Sequence, residues 1–108
     1  MFFGSKSAAL RDFSPHELRD ALAQGGVTLV DVREPNEFAS ARIAGAINLP
    51  LSRFNPAELP AGEVILHCGV GRRSASAAGV AAKAGRPVTG HLAGGLNAWM
   101  SAGLPVVR

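Results

Sequence analysis

The run Val64-Ile65-Leu66-His67-Cys68-Gly69-Val70-Gly71-Arg72-Arg73-Ser74 decides how this chain folds. The apolar residues Val64 to Leu66 read as a strand, and the glycines after them read as a turn. From Ser74 to Ala84 the chain is rich in small residues and reads as a helix. Cys68, the one cysteine present, therefore stands at the carboxyl end of a strand, before a tight turn into a helix. Unpaired helix N–H groups stabilise an anion at such a place, and they favour a thiolate for the same reason.

Working outward, strands and helices alternate. A short strand is expected at Ala8 to Arg11. Ser14-Pro15-His16-Glu17 has the pattern of a capping box with proline in the first turn. Leu18, Ala21 and Leu22 then form an apolar stripe that Gly25-Gly26 terminates. Val27 to Val32 is almost continuously apolar, as a strand covered on both faces is. Pro35 opens a short helix through Phe38 to about Ala41, and Ala46 to Leu49 is a strand stopped by Pro50. Ser52 to Leu59 reads as a short helix or irregular turn, Val88 to Gly90 as a short strand, and Gly94-Gly95 opens a last helix that ends at Gly103. Such alternation implies an α/β sandwich with a mainly parallel sheet of about five strands between helical layers. Ligands of such sheets bind beyond the carboxyl ends of the strands, where Cys68 falls.

With 108 residues, the chain fits one domain over positions 1–108 and is long enough for a core of its own. Apolar residues make up 47% and charged residues 18%, a globular balance. One cysteine excludes a disulfide framework, a cysteine-rich metal site and a two-cysteine redox pair within the chain. A free thiol suits a reducing compartment, and Met1 to Lys6 lacks the apolar core of a signal peptide, so a cytoplasmic location is expected. No run approaches the ~20 apolar residues of a membrane span. Net charge is +3, but there is no basic stripe with interleaved aromatics and no tyrosine, so neither nucleic acid nor membrane is an expected partner.

The loop itself argues for chemistry. Gly69 and Gly71 let the backbone fold tightly with N–H groups turned inward, as an anion-binding nest. Arg72 and Arg73 add cationic, fork-shaped donors suited to an oxyanion, and the free N–H groups expected from Ser74 onward face the same place. A buried structural cysteine has no use for such neighbours. His67 precedes the thiol, but strand alternation points it away from Cys68. His16 and His91 are isolated in sequence, and no histidine pair has metal-ligand spacing, so neither metal nor cofactor is expected. Asp31 and Arg33 are read as an ion pair or hydrogen-bonding corner supporting the site, and Trp99 as a core anchor. Close backbone packing is the role expected of Gly94-Gly95.

The segment Cys68-Gly69-Val70-Gly71-Arg72-Arg73-Ser74 resembles the active-site loop of the rhodanese-like sulfurtransferases. Three further segments are similar to that family's motifs, in the same order: Asp31 to Phe38, Ile43 to Pro50, and Leu92 to Trp99 followed by Gly103 to Val106. The sequence departs from the pattern at Ala41-Arg42, where the family often has Gly-His, and at Ala44, where proline is frequent. Arg42 is given no catalytic role. The resemblance implies a three-layer α/β/α sandwich and sulfur transfer through a Cys68 persulfide. The donor would be a small anion such as thiosulfate, and the acceptor cyanide, a small thiol or a protein thiol. It further implies that the amides of Gly69 to Arg73 stabilise the persulfide and that Arg72 and Arg73, the latter foremost, orient the donor's oxygens.

Two other functions compete. A cysteine phosphatase loop needs arginine six residues beyond the cysteine; here that position is Ser74, and the arginines stand four and five residues on. A disulfide-forming arsenate reductase wants a resolving cysteine, and the chain has none. A non-enzymatic sulfur carrier or protein-binding module is the remaining alternative, since sequence does not name the acceptor.

Overall fold

Two residues, Gly25 and Gly26, follow the end of α1 (Pro15–Gln24) before the chain enters the first inner strand, and strands and helices alternate from there. The computed structural model describes residues 10–108. Its elements are β1 (Arg11–Phe13), α1, β2 (Val27–Asp31), α2 (Pro35–Ser40), β3 (Ile47–Asn48), β4 (Glu63–His67), α3 (Arg72–Lys83), β5 (Gly90–Leu92) and α4 (Gly95–Ser101). Two 3-10 turns, Leu51–Arg53 and Pro56–Glu58, occupy the segment read as a short helix or irregular turn. α1 begins on the capping box: Glu17 N–H donates to Ser14 Oγ at 3.1 Å, and Ser14 N–H donates to the Glu17 carboxylate at 2.9 Å.

The sheet has the order β1-β5-β4-β2-β3, and every neighbouring pair is parallel. β4 is therefore central, and Cys68 leaves the middle of the sheet. On one face Val30, Val32, Val64 and Leu66 pack with Cys68 against Ala77, Ala78 and Ala81 of α3. On the other, Leu29, Ile65 and Leu92 pack against Leu18 of α1 and Leu96 and Trp99 of α4. Strand alternation sends successive side chains to opposite layers, which makes the three-layer α/β/α sandwich. Each fully buried leucine or isoleucine here contributes about 1.5–3 kcal/mol. Trp99 is buried, and its indole N–H donates to the Pro105 carbonyl at 2.8 Å.

Three boundaries differ from expectation. β1 starts at Arg11 and runs to Phe13; Ala8, Ala9 and the Met1 to Lys6 segment lie outside the described residues. β5 runs from Gly90 to Leu92 rather than Val88 to Gly90, because the ladder to β1 and β4 begins only at Gly90. α3 starts at Arg72, two residues before Ser74, so both arginines sit in its first turn. Among the described residues no helix is long and apolar enough to cross a membrane.

Candidate active site

Cys68 follows β4 directly and is buried. Its Sγ accepts the N–H of Gly71 at 3.1 Å and of Ser74 at 3.3 Å, and lies 3.6 Å from Ser74 Oγ. Two local features make this cradle. Gly71 takes φ +105, a conformation an L side chain rarely adopts, and curls the loop back around the sulfur. Gly71 is also the N-cap of α3, so Ser74 is the third helical residue and its N–H has no partner within the helix. Burial raises the thiol's pKa, but the Ser74 hydroxyl and the amides of Ser74, Gly71 and Val70 outweigh it, and the net direction is downward. The site is thus built to hold a thiolate out of water.

The remaining loop residues divide. Gly69 lies under the Arg73 guanidinium, with a Cβ at that position falling 3.3 Å from Nη2. Val70 is 54% exposed and Arg72 is exposed, both on the rim. Arg73 donates through Nη1 and Nη2 to the two carboxylate oxygens of Glu37 at 2.7 and 3.1 Å. The fork expected to meet a donor's oxygens is therefore already in a two-point bond to α2. That bond lowers the pKa of Glu37 and holds a positive charge beside the loop.

On the opposite face of the sheet Asp31 and Arg33 form a buried ion pair. Arg33 Nη2 lies 2.8 Å from Asp31 Oδ2, Arg33 Nε lies 3.1 Å from both oxygens, and the Arg33 backbone N–H donates to Oδ1 at 2.9 Å. Arg33 also donates to the Ala41 carbonyl at 2.6 Å. The parallel register sets Asp31 level with His67, whose Nε2 lies 3.3 Å from Asp31 Oδ2 and whose Nδ1 lies 3.1 Å from the Cys68 carbonyl. Burial raises the Asp31 pKa; His67 and Arg33 overcome it and lower it to about 2. His67 thus points away from the thiol and braces the backbone of the residue that carries it.

α4 fixes that backbone from outside the sheet. Leu96 N–H donates to the Cys68 carbonyl at 2.8 Å and Asn97 N–H to the Gly69 carbonyl at 3.0 Å. The approach requires Gly95: a Cβ there would sit 2.5 Å from Gly69 backbone atoms and 2.6 Å from the Cys68 oxygen. Close backbone packing is what Gly95 supplies, whereas a Cβ at Gly94 would meet the Ala98 side chain at 2.7 Å.

The model of the rhodanese-like domain matches residues 14–102, a span holding both the amide-cradled thiol and the α4 brace. The chain belongs to the rhodanese-like domain family. An uncharacterized protein of Synechocystis is 45% identical over 98 residues, covering 88% of this chain and 55% of that one. This rhodanese-like chain thus spans about half the length of that curated relative. A protein of Allochromatium vinosum named a sulfurtransferase is 37% identical over 84 residues, covering 75% of this chain and 78% of its own. The crystal structure of a rhodanese-related protein from Thermoplasma volcanium superposes with a TM-score of 0.79 at 31% identity, covering 90% of this chain and 97% of that one.

Three residues of this rhodanese-like site escaped the sequence reading as functional groups. Glu37 was seen only as part of a motif, and its bond to Arg73 spans 36 positions. His91, read as isolated, has its Nδ1 2.7 Å from Ser74 Oγ and its Nε2 2.9 Å from Asp12 Oδ1. Asp12 carried no signal at all. No local pattern links β1, β5 and α3; only the parallel pairing of β1 with β5 brings Asp12 level with His91.

Proposed function

We propose that this protein moves a sulfane sulfur from a small anionic donor such as thiosulfate to a thiophilic acceptor, by way of a Cys68 persulfide. The observation that carries the reading is the Cys68 sulfur at the focus of the Gly71 and Ser74 amides, with no second cysteine in the chain. The thiolate attacks the outer sulfur of the donor. A new S–S bond forms, the donor's S–S bond breaks, and its electron pair leaves on sulfite. Because the chain holds no resolving thiol, an external nucleophile, cyanide or a thiol, must attack the outer persulfide sulfur and return Cys68 to thiolate.

The amides that favour the thiolate serve the persulfide anion equally, since each is a fixed donor in a site that excludes water. Arg73, paired with Glu37, holds a cation beside the loop, and Arg72, exposed on the rim, offers a second fork for the donor's oxygens. Work in a reducing compartment such as the cytoplasm follows from the need to keep Cys68 reduced between turnovers. The test is thiocyanate formation from thiosulfate and cyanide. The native protein is expected to turn over with ping-pong kinetics and Cys68→Ala to be at background; equal rates for the two would refute the reading.

A further inference from the structure

Cys68 is 0% exposed, so in the resting fold its sulfur is in contact with protein groups rather than with water. A chain of three side chains leads away from it. Ser74 Oγ lies 3.6 Å from Sγ and 2.7 Å from His91 Nδ1, and His91 Nε2 lies 2.9 Å from Asp12 Oδ1. Ser74 and His91 are buried, whereas the Asp12 side chain is 71% exposed on the edge strand β1. The chain therefore runs from the buried thiol across β5 to solvent at the sheet edge.

Donor and acceptor rules fix how it operates. The Asp12 carboxylate only accepts, so His91 Nε2 carries a hydrogen. With a neutral ring, Nδ1 is then bare and accepts a hydrogen bond from the Ser74 hydroxyl at 2.7 Å, nearer than the Gly71 carbonyl at 3.2 Å, and the Ser74 oxygen faces the thiol S–H. Each step can reverse along the same bonds. A plain packing role would not require it: an apolar residue at position 91 would fill the α3 face without needing a buried hydroxyl on one side and a carboxylate on the other.

We propose that Asp12, His91 and Ser74 form a proton relay that ionises Cys68 within the fold, with His91 and Asp12 as positioning residues acting through Ser74. This rests on the reading of Cys68 as the working thiolate. The Cys68 S–H bond breaks and its electron pair stays on sulfur, while the proton passes to Ser74 Oγ. Ser74 gives its original hydroxyl proton to the lone pair of His91 Nδ1. A neutral thiol and a neutral imidazole become a thiolate and an imidazolium, the latter against the Asp12 carboxylate. Ser74 O–H then donates to the thiolate, joining the Gly71 and Ser74 amides as a further donor.

The surrounding charges are few. β1 presents Asp12, while the Arg11 guanidinium stacks on the Phe13 ring. α3 presents Arg72 and Arg73, the latter bound to Glu37. β4 places Leu66 opposite His91, and its His67 faces Asp31 on the other side of the sheet. α4, Gly95–Ser101, contains no charged residue.

The experiment follows Cys68 ionisation without sulfur transfer, as the rate of iodoacetamide alkylation between about pH 5 and about pH 10, a range spanning the free thiol's value of about 8.5. His91→Asn keeps an acceptor toward Ser74 but cannot take a proton, and is expected to slow alkylation about tenfold near neutral pH, the effect of a shift of about one pH unit in the profile. Asp12→Asn, at the exposed end, is expected to slow it about threefold, and Ser74→Ala at least as much as His91→Asn. In the native protein, NMR of the His91 ring nitrogens should show the Nε2–H form. Capping Cys68 should move the His91 titration midpoint, and Ser74→Ala should abolish that movement. Should His91→Asn fail to fold, Asp12→Asn and the native NMR titration decide alone. Superimposable alkylation profiles for native and Asp12→Asn protein, with a His91 midpoint indifferent to the state of Cys68, would overturn the relay and leave the sulfurtransferase reading untouched.

Discussion

Burial by itself raises a thiol's pKa, and at Cys68 the donors of one short loop turn the net shift downward. Asp31 shows the same contest on the other face of the sheet, with a carboxylate kept charged by Arg33 and His67. Its lowered pKa makes stability depend on acid in a definite direction. The contribution is fully present above the unfolded value of 3.8 and is lost as pH falls through about 2, a difference of roughly 2 kcal/mol. Asp31→Asn should therefore flatten the acid limb by that amount in urea titrations at about pH 5 and about pH 2. Near neutrality it should lower stability by about 3 kcal/mol, because Arg33, 5% exposed, would stay buried without its partner. An acid limb identical to that of the native protein would show that Asp31 is not the group responsible.

Among the elements, α4 is the one whose position the active loop depends on most directly, through the bonds of Leu96 and Asn97 to the Cys68 and Gly69 carbonyls. Gly95→Ala meets both a left-handed φ of +63 and backbone atoms at 2.5 Å. The two together should cost roughly 2–4 kcal/mol. Alkylation of Cys68 should also lose its low-pH activity as the loop shifts; a variant with native stability and native thiol reactivity would contradict the brace. Such elements were legible from sequence where their signals are local. The capping box of α1 and the strand–turn–helix around Cys68 needed only neighbouring residues. α3 starts two residues before the expected Ser74, because Gly71 caps it through a positive φ and no side-chain cap marks the place. β5 was placed two residues early because Val88-Thr89 has the stronger strand composition. Thr89 already donates to the Val64 carbonyl at 2.8 Å, but the ladder to both neighbours begins at Gly90. The Asp12–His91 and Arg73–Glu37 contacts join residues 79 and 36 positions apart, and only the folded topology brings them together.

Across the whole molecule, the two faces of the sheet carry different tasks. One holds the thiol with Ser74, His91 and Asp12 beneath α3, and the other holds the Asp31–Arg33–His67 cluster that steadies the end of β4. Both meet at Cys68 because β4 is the central strand. The parallel sheet thus supplies what the loop alone could not: a thiol withdrawn from water yet reached by donors from its own backbone. The proposed task of this thiol is to carry the transferred sulfur. Intact mass spectrometry after thiosulfate treatment tests it most directly. The native protein should gain one sulfur, removed by cyanide and missing from Cys68→Ala. No adduct on the native protein, or the same adduct on Cys68→Ala, would contradict it.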